Sequence, residues 1–333
     1  MQEFNQALKG KLSTMEPPLL ARGMLAFSSL QYEPQRPLLK AYYMQLYSRL
    51  PMFDNQDLAT TVQALAVLKR VVRQDFLGEL LEEVLVKLPT FTPITLANML
   101  VALGTIARPL HLQNNLAHPP RFETPERLLR ALNEHLQQHM WEFSGDCLAN
   151  SLWGIVMLGH RPSLVFLEKA VAASHSKLHM MRNEQLTRVL AVLAICKYQP
   201  RDERAAATYW SWFKEFTKLA ARREYSPRQA CDMLSTLSTM PESSRSHITP
   251  EFVSQVLRST HKQPSRNLSA TRLASLVRSL QVLGYKPDFG LRSSMLQDAR
   301  FFWTSFSPQV RLESDGQAGA PGSAGLLLLA WSG

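Results

Sequence analysis

The chain has 333 residues, 45% of them hydrophobic and 19% charged, which is enough apolar side chain for a continuous core and too little charge for a disordered polyelectrolyte. Its three cysteines exclude a disulfide-built scaffold and read as thiols of a reducing compartment. The formal net charge is +10 and unevenly spread: residues 201–300 carry 16 basic and 9 acidic side chains against 10 and 9 in residues 1–100, so the last third favours polyanions.

The first predicted helix follows Glu16 and is anchored by Leu20. The pattern it sets returns at Leu58, Leu96, Leu148, Leu186, Ala230 and Leu273, at intervals of 38, 38, 52, 38, 44 and 43 residues. Apolar residues recur four, seven and ten positions on, as in Met24, Phe27 and Leu30 of the first copy or Leu152, Ile155 and Leu158 of the fourth. Spacings of three and four put them on one helical face. The residue after the anchor is small in every copy, for example Ala21, Ala59, Ala97 and Ala149, which admits a neighbouring helix closely.

Start and stop signals keep the same register. Asp54, Thr92, Ser144, Ser226 and Ser269 stand four residues before their anchors as N-caps, while Glu16 and Arg182 hold that place in weaker starts. A large apolar residue precedes each cap, from Met15 and Phe53 to Tyr225 and Leu268, as in a hydrophobic staple. Helix ends recur at Gly159 to Pro162, Lys197 to Pro200 and Gly284 to Pro287. Second helices are predicted between these copies, among them residues 73–88, 124–140, 163–178 and 249–259; Thr124-Pro125-Glu126 and Thr249-Pro250-Glu251 supply cap, first-turn proline and first-turn acid. No stretch alternates with period two for long enough to argue for strands.

A helix–turn–helix unit repeated about every 38 residues predicts an all-α fold, a right-handed α-solenoid of about seven repeats over residues 1–306. Residues 307–333 read as a flexible Gly/Ala/Ser-rich tail, with Leu326 to Trp331 too short to span a bilayer, so no membrane insertion is expected. Phe301, Phe302 and Trp303 are expected to cap the last repeat.

Three phrases carry a family resemblance: FSGDCLANSLWGIVMLGHRP from Phe143 to Pro162, TPITLANML from Thr92 to Leu100, and LGYKP ending at Pro287. They resemble the octotricopeptide repeat, a 38-residue helical repeat similar to the leucine-rich region of FAST-kinase-like proteins. The resemblance implies an organellar protein, of mitochondrion or chloroplast stroma, that binds single-stranded RNA in transcript stability, processing, splicing or translation. It covers roughly residues 13–300. No C-terminal RAP module is visible in the sequence, so no cleavage activity is expected; nor is an Arg/Ser-rich transit peptide visible at the N-terminus, which carries an acid at Glu3.

Three positions per helix point away from the apolar stripe, two, five and nine residues past the anchor. The first of these is polar in every copy yet changes identity: Arg22, Thr60, Asn98, Asn150, Arg188, Asp232 and Ser275. A fixed frame with a variable polar position is how one-base-per-repeat proteins read RNA, and an ordinary solvated helix face is also polar and variable. Thr60, Asn98, Asn150, Arg188, Asp232 and Ser275 are taken as candidate base readers. Lys214, Lys218, Arg222, Arg223 and Arg278 are taken as phosphate contacts of the basic last third.

Tyr209, Trp210, Trp212, Phe213 and Phe216 lie among those cations and either stack bases or pack the core. The pairs His135/His139 and His175/His179 have chelating spacing but no third ligand, so no metal is expected. No Walker loop, dinucleotide fingerprint, nucleophile elbow or kinase motif is present; a binding protein without catalysis of its own and without cofactor is expected. The partner is then an organellar transcript in a ribonucleoprotein complex, or rRNA if the chain is a clamping subunit of an organellar ribosome. An armadillo- or HEAT-like protein scaffold fits the same repeat; clustered positive charge favours RNA and apolar patches favour protein.

Overall fold

Each repeated first helix begins and ends where its signals put it. These helices are α2 (Pro17–Ser29), α4 (Asn55–Leu68), α6 (Pro93–Ala107), α8 (Gly145–Met157), α10 (Asn183–Ile195), α12 (Pro227–Ser238) and α15 (Ala270–Val282). The second helices are α3 (Arg36–Arg49), α5 (Gln74–Lys87), α7 (Glu126–His139), α9 (Leu164–His175), α11 (Glu203–Ala221) and α14 (Pro250–Leu257). Two helices have no counterpart in the sequence reading, α1 (Gln2–Lys11) and the single turn α13 (Glu242–Arg245). The structure, a computed structural model, describes residues 2–30, 32, 34–68, 74–107, 122, 124–258, 268–290, 292, 293 and 295. Among these there is no strand. The insertion that lengthens the 52-residue interval, the aromatic cap and the tail lie outside the described residues.

The caps do their local work. The Asp54 carboxylate accepts from the Asp57 amide at 2.7 Å, and the Thr92 hydroxyl accepts from the Thr95 amide at 3.2 Å. Ser144, Ser163, Ser226, Thr249 and Ser269 each accept from a backbone amide three residues on. Ser226 and Gln229 complete a capping box. The weak starts at Glu16 and Arg182 have no side-chain cap. At the stops, Gly159 and Gly284 take φ of 96° and 65°. Lys197 takes the same left-handed place at φ 48°, and the amide of Tyr198 still closes onto Leu193 O at 2.9 Å.

The anchors and the residues four and seven on are buried in all seven copies. The residue ten on is not constant. Leu158 and Met240 are buried but Leu30 is 77% exposed, although all three stand just past the last residue of their helices.

The described residues fall into two units, those up to Met180 and those from Met181 onward. In the first, α2, α4, α6 and α8 pack side by side in that order, and so do α1, α3, α5, α7 and α9. In the second, α12 packs on α10 and α15, and α11 packs on α14. A recurring cationic clasp closes individual helix pairs. Arg49 at the end of α3 donates to the carbonyls of Ser13 and Met15. Lys87 at the end of α5 donates to those of Pro51 and Phe53, at 2.8 and 2.5 Å. Lys177, just past α9, donates to those of Met140, Trp141 and Phe143. In the second unit Arg223, just past α11, donates to Met181 O and Asn183 Oδ1. Met15, Phe53, Phe143 and Met181 each precede an N-cap, so the cation ties the start of a first helix to the end of its partner. Burial holds the Lys177 ammonium below its ordinary pKa.

Two glycines bring the backbones of α6 and α8 close together. A Cβ on Gly154 would lie 2.6 Å from the backbone carbonyl of Leu100, and one on Gly104 would lie 2.8 Å from Met157 Cβ. Gly78 in α5 has nothing within 4 Å of such a Cβ. Gly154→Ala is therefore expected to destabilise by about 1–3 kcal/mol, the cost of overpacking a tight contact, and Gly78→Ala to stabilise by about 0.5–1 kcal/mol through helix propensity. Shifts of opposite sign in the urea midpoint check both; equal shifts would deny the contact.

Candidate nucleic-acid interface

In the second unit the basic side chains of α11 converge on a cleft of about 610 Å³ lined by Lys218, Ala221, Arg222, Arg223, Glu224, Gln255 and Arg258. The wall from α11 places Lys218 and Arg222 one turn apart, and the wall from α14 brings Gln255 and Arg258. Of the four cations, Arg223 is spent on the clasp to Met181 O and Asn183 Oδ1. Among the described residues Lys218 meets only Glu215, at 3.5 Å, a solvent-exposed pair of small energetic weight. The guanidinium groups of Arg222 and Arg258 make no ion pair among the described residues. Lys214, one turn before Lys218, is exposed but does not line the cleft, and Arg278 is exposed on α15, also away from it. Arg258 and Gln255 were not singled out in the sequence; only the packing of α14 on α11 brings them here.

A second cleft, of about 470 Å³, shares Arg223 and is otherwise lined by Met181 and Arg182 before α10, by Asn183, Glu184 and Gln185 of its first turn, and by Gln229. Asn183 Nδ2 donates to Glu224 O at 2.7 Å, so the two clefts meet along one hydrogen-bonded seam.

The six candidate readers lie on separate first helices, in two different settings. In the first unit, Asn98 is exposed on α6 and Asn150 half-buried on the adjacent α8. Thr60 does not present itself to solvent: it is 8% exposed, and its hydroxyl accepts from Gln56 Nε2 at 3.3 Å. Gln56 in turn reaches Thr95, whose hydroxyl meets that of Thr92, so Thr60 ends a polar chain between α4 and α6. In the second unit the candidates are already paired. Arg188 bonds Glu184, Asp232 lies 3.7 Å from Arg272 and 3.9 Å from Arg228, and Ser275 meets Ser235 at 3.1 Å. Desolvation raises the Asp232 carboxyl above its usual pKa, against the lowering pull of Arg272 and Arg228.

The aromatic cluster of α11 is core. Tyr209, Trp212, Phe213 and Phe216 are buried, and the Tyr209 hydroxyl meets Ser244 Oγ at 2.8 Å with its pKa pushed by burial to about 12. Only Trp210 is partly open, stacked on His247 with ring centroids 4.3 Å apart. The rings of His135 and His139 lie 4.8 Å apart, tilted by 39°, and His139 Nδ1 pairs with Glu142 at 2.9 Å. No group of three or more metal-ligating side chains occurs among the described residues. Cys147, Cys196 and Cys231 are thiols not joined in a disulfide, and burial pushes Cys231 up to about 12. No described helix is long and apolar enough to cross a membrane. No protein-family model matches the chain, and no curated protein matches it.

Because the folded state holds Asp232 above its ordinary pKa, the fold binds that proton more tightly than the unfolded chain does. This site therefore weighs against folding above the raised pKa, and the penalty fades as pH falls through it. Asp232→Asn is expected to raise the melting temperature at neutral pH and to flatten its gain on acidification; a lowered melting temperature at neutral pH would mean that the Arg272 and Arg228 pairs outweigh desolvation.

Proposed function

We propose that this chain binds single-stranded RNA in an organelle and acts in transcript stability, processing or translation by occupying the strand, without catalysis of its own. In this reading the helix pairs of both units belong to one right-handed α-solenoid of about seven repeats, supported by the common register of their anchors and caps. The observation that carries the reading is the cleft at the ends of α11 and α14, where Arg222 and Arg258 face open space without an ion partner among the described residues. Phosphates would supply the missing anions there, with Lys218 in the cleft and Lys214 one turn before it adding affinity, and Arg278, away from the cleft, meeting another part of the strand. Asn98 and Asn150 are the best-placed readers, since an amide offers donor and acceptor together on two adjacent helices. A protein-scaffold reading draws on a different observation, the exposed Met52, Ile94, Trp141 and Met180 of the first unit.

Binding of single-stranded RNA should weaken steeply with salt, with a log–log slope of about −0.7 per phosphate neutralised. Lys214→Ala with Lys218→Ala should lower the slope by about that amount for each lysine that meets a phosphate, alike for all sequences. Fluorescence anisotropy across a salt series measures this; a flat dependence would remove the phosphate contacts from the reading.

Asn98→Ala and Asn150→Ala should each change the preference at one nucleotide, costing about 1–3 kcal/mol for the favoured base. Selection from a random RNA pool with wild-type and variant protein decides it: identical enriched motifs would show that this face is only solvated.

A further inference from the structure

The basic cleft contains one group that a simple anion site does not need. Glu224 lines it together with Lys218, Arg222, Arg223 and Arg258. A carboxylate there repels phosphate. It also stands just past the C-terminus of α11, where the helix dipole disfavours a negative charge. The cations alone have a plain explanation, since basic side chains suit the negative ends of α11 and α14; that explanation works against Glu224. Nor is Glu224 there to neutralise its neighbours. Its carboxylate makes no ion pair among the described residues, although four cations share the cleft, and it is the backbone carbonyl of Glu224, not its side chain, that Asn183 holds.

Arg222 and Arg258 therefore present uncommitted donors to an anion, while Glu224 presents an uncommitted acceptor to a hydroxyl or amine. A ligand that satisfies all three carries a negative charge and a hydrogen-bond donor close together. A ribonucleotide within a strand does so, through its phosphodiester and its 2′-hydroxyl, whereas a deoxyribonucleotide offers the phosphate alone. The volume of about 610 Å³ lies within the range of small-ligand sites. Resting on the RNA-binding reading above, we propose that this cleft selects ribose over deoxyribose: Glu224 accepts a hydrogen bond from the 2′-hydroxyl of a nucleotide whose phosphate lies on Arg222 and Arg258.

The test uses the full chain and three fluorescein-labelled strands of equal length and identical base: oligouridylate, oligodeoxyuridylate and 2′-O-methyl oligouridylate, whose methylated oxygen cannot donate. The wild-type protein is expected to hold the ribose strand about tenfold tighter than either other strand, the worth of one hydrogen bond to a charged group. Glu224→Ala should bring the three affinities together, with the deoxy strand bound more tightly than by the wild type because a repulsive charge is gone. Arg222→Ala with Arg258→Ala should weaken all three strands. The proposal is overturned if Glu224→Ala tightens every strand by one factor, if the discrimination survives that substitution, or if the double arginine variant binds as the wild type does. A wild type that binds all three strands alike overturns ribose selection and leaves RNA binding standing; one that binds none of them removes both.

Discussion

The structure depends on one constraint, the burial of three apolar positions per first helix against its neighbours. Once Leu58, Val62 and Leu65 of α4, or Leu148, Leu152 and Ile155 of α8, are withdrawn from water, the helix has little rotational freedom left. The position two past the anchor then falls at the margin of the packed stripe, and its exposure is set by local neighbours. Asn98 stands clear, Asn150 is half covered and Thr60 lies beneath Gln56. The small residue after the anchor and the glycine contacts between α6 and α8 draw adjacent helices in, which brings these marginal side chains into one row within the first unit.

Positive charge is divided between two duties. Arg49, Lys87, Lys177 and Arg223 hold backbone carbonyls ahead of the first helices, where hydrogen bonding to a cation stabilises a chain turn that no side-chain cap reaches. Those cations contribute to net charge but offer fewer donors to an outside anion. Arg222 and Arg258 carry no such duty. A residue's formal charge thus says little about its availability, and the two neighbouring arginines of α11's end, Arg222 and Arg223, differ more in role than their sequence suggests.

Most of the fold was legible in the sequence because its signals are local. Caps at Asp54, Thr92, Ser144, Ser226 and Ser269, the period of the apolar stripe and the Gly-to-Pro stops act within a few residues, and helix boundaries follow them. The helix α1 was missed because it has no cap or anchor in the repeat register, and its ordering comes from packing on α3. The clasp had a faint signal, a basic residue 34 positions after the staple at Arg49, Lys87 and Lys177, but hydrogen bonds to carbonyls leave no trace in hydropathy. The candidate site was half legible. Lys218, Arg222 and Arg223 stand together in the chain, while Gln255, Arg258 and the contrary carboxylate Glu224 acquire meaning only when α14 lies beside α11. The aromatic run Tyr209 to Phe216 shows the same limit: its composition suits stacking on bases, and its burial assigns it to the core.

The two glycines between α6 and α8 bear on the modularity of the chain. A repeat is interchangeable only if the surfaces on both its sides are generic. The α6–α8 junction is keyed, with Gly104 against Met157 and Gly154 against Leu100, so each helix carries half of a matched pair. Recombination or design that shuffles repeats would have to move the third and fourth together.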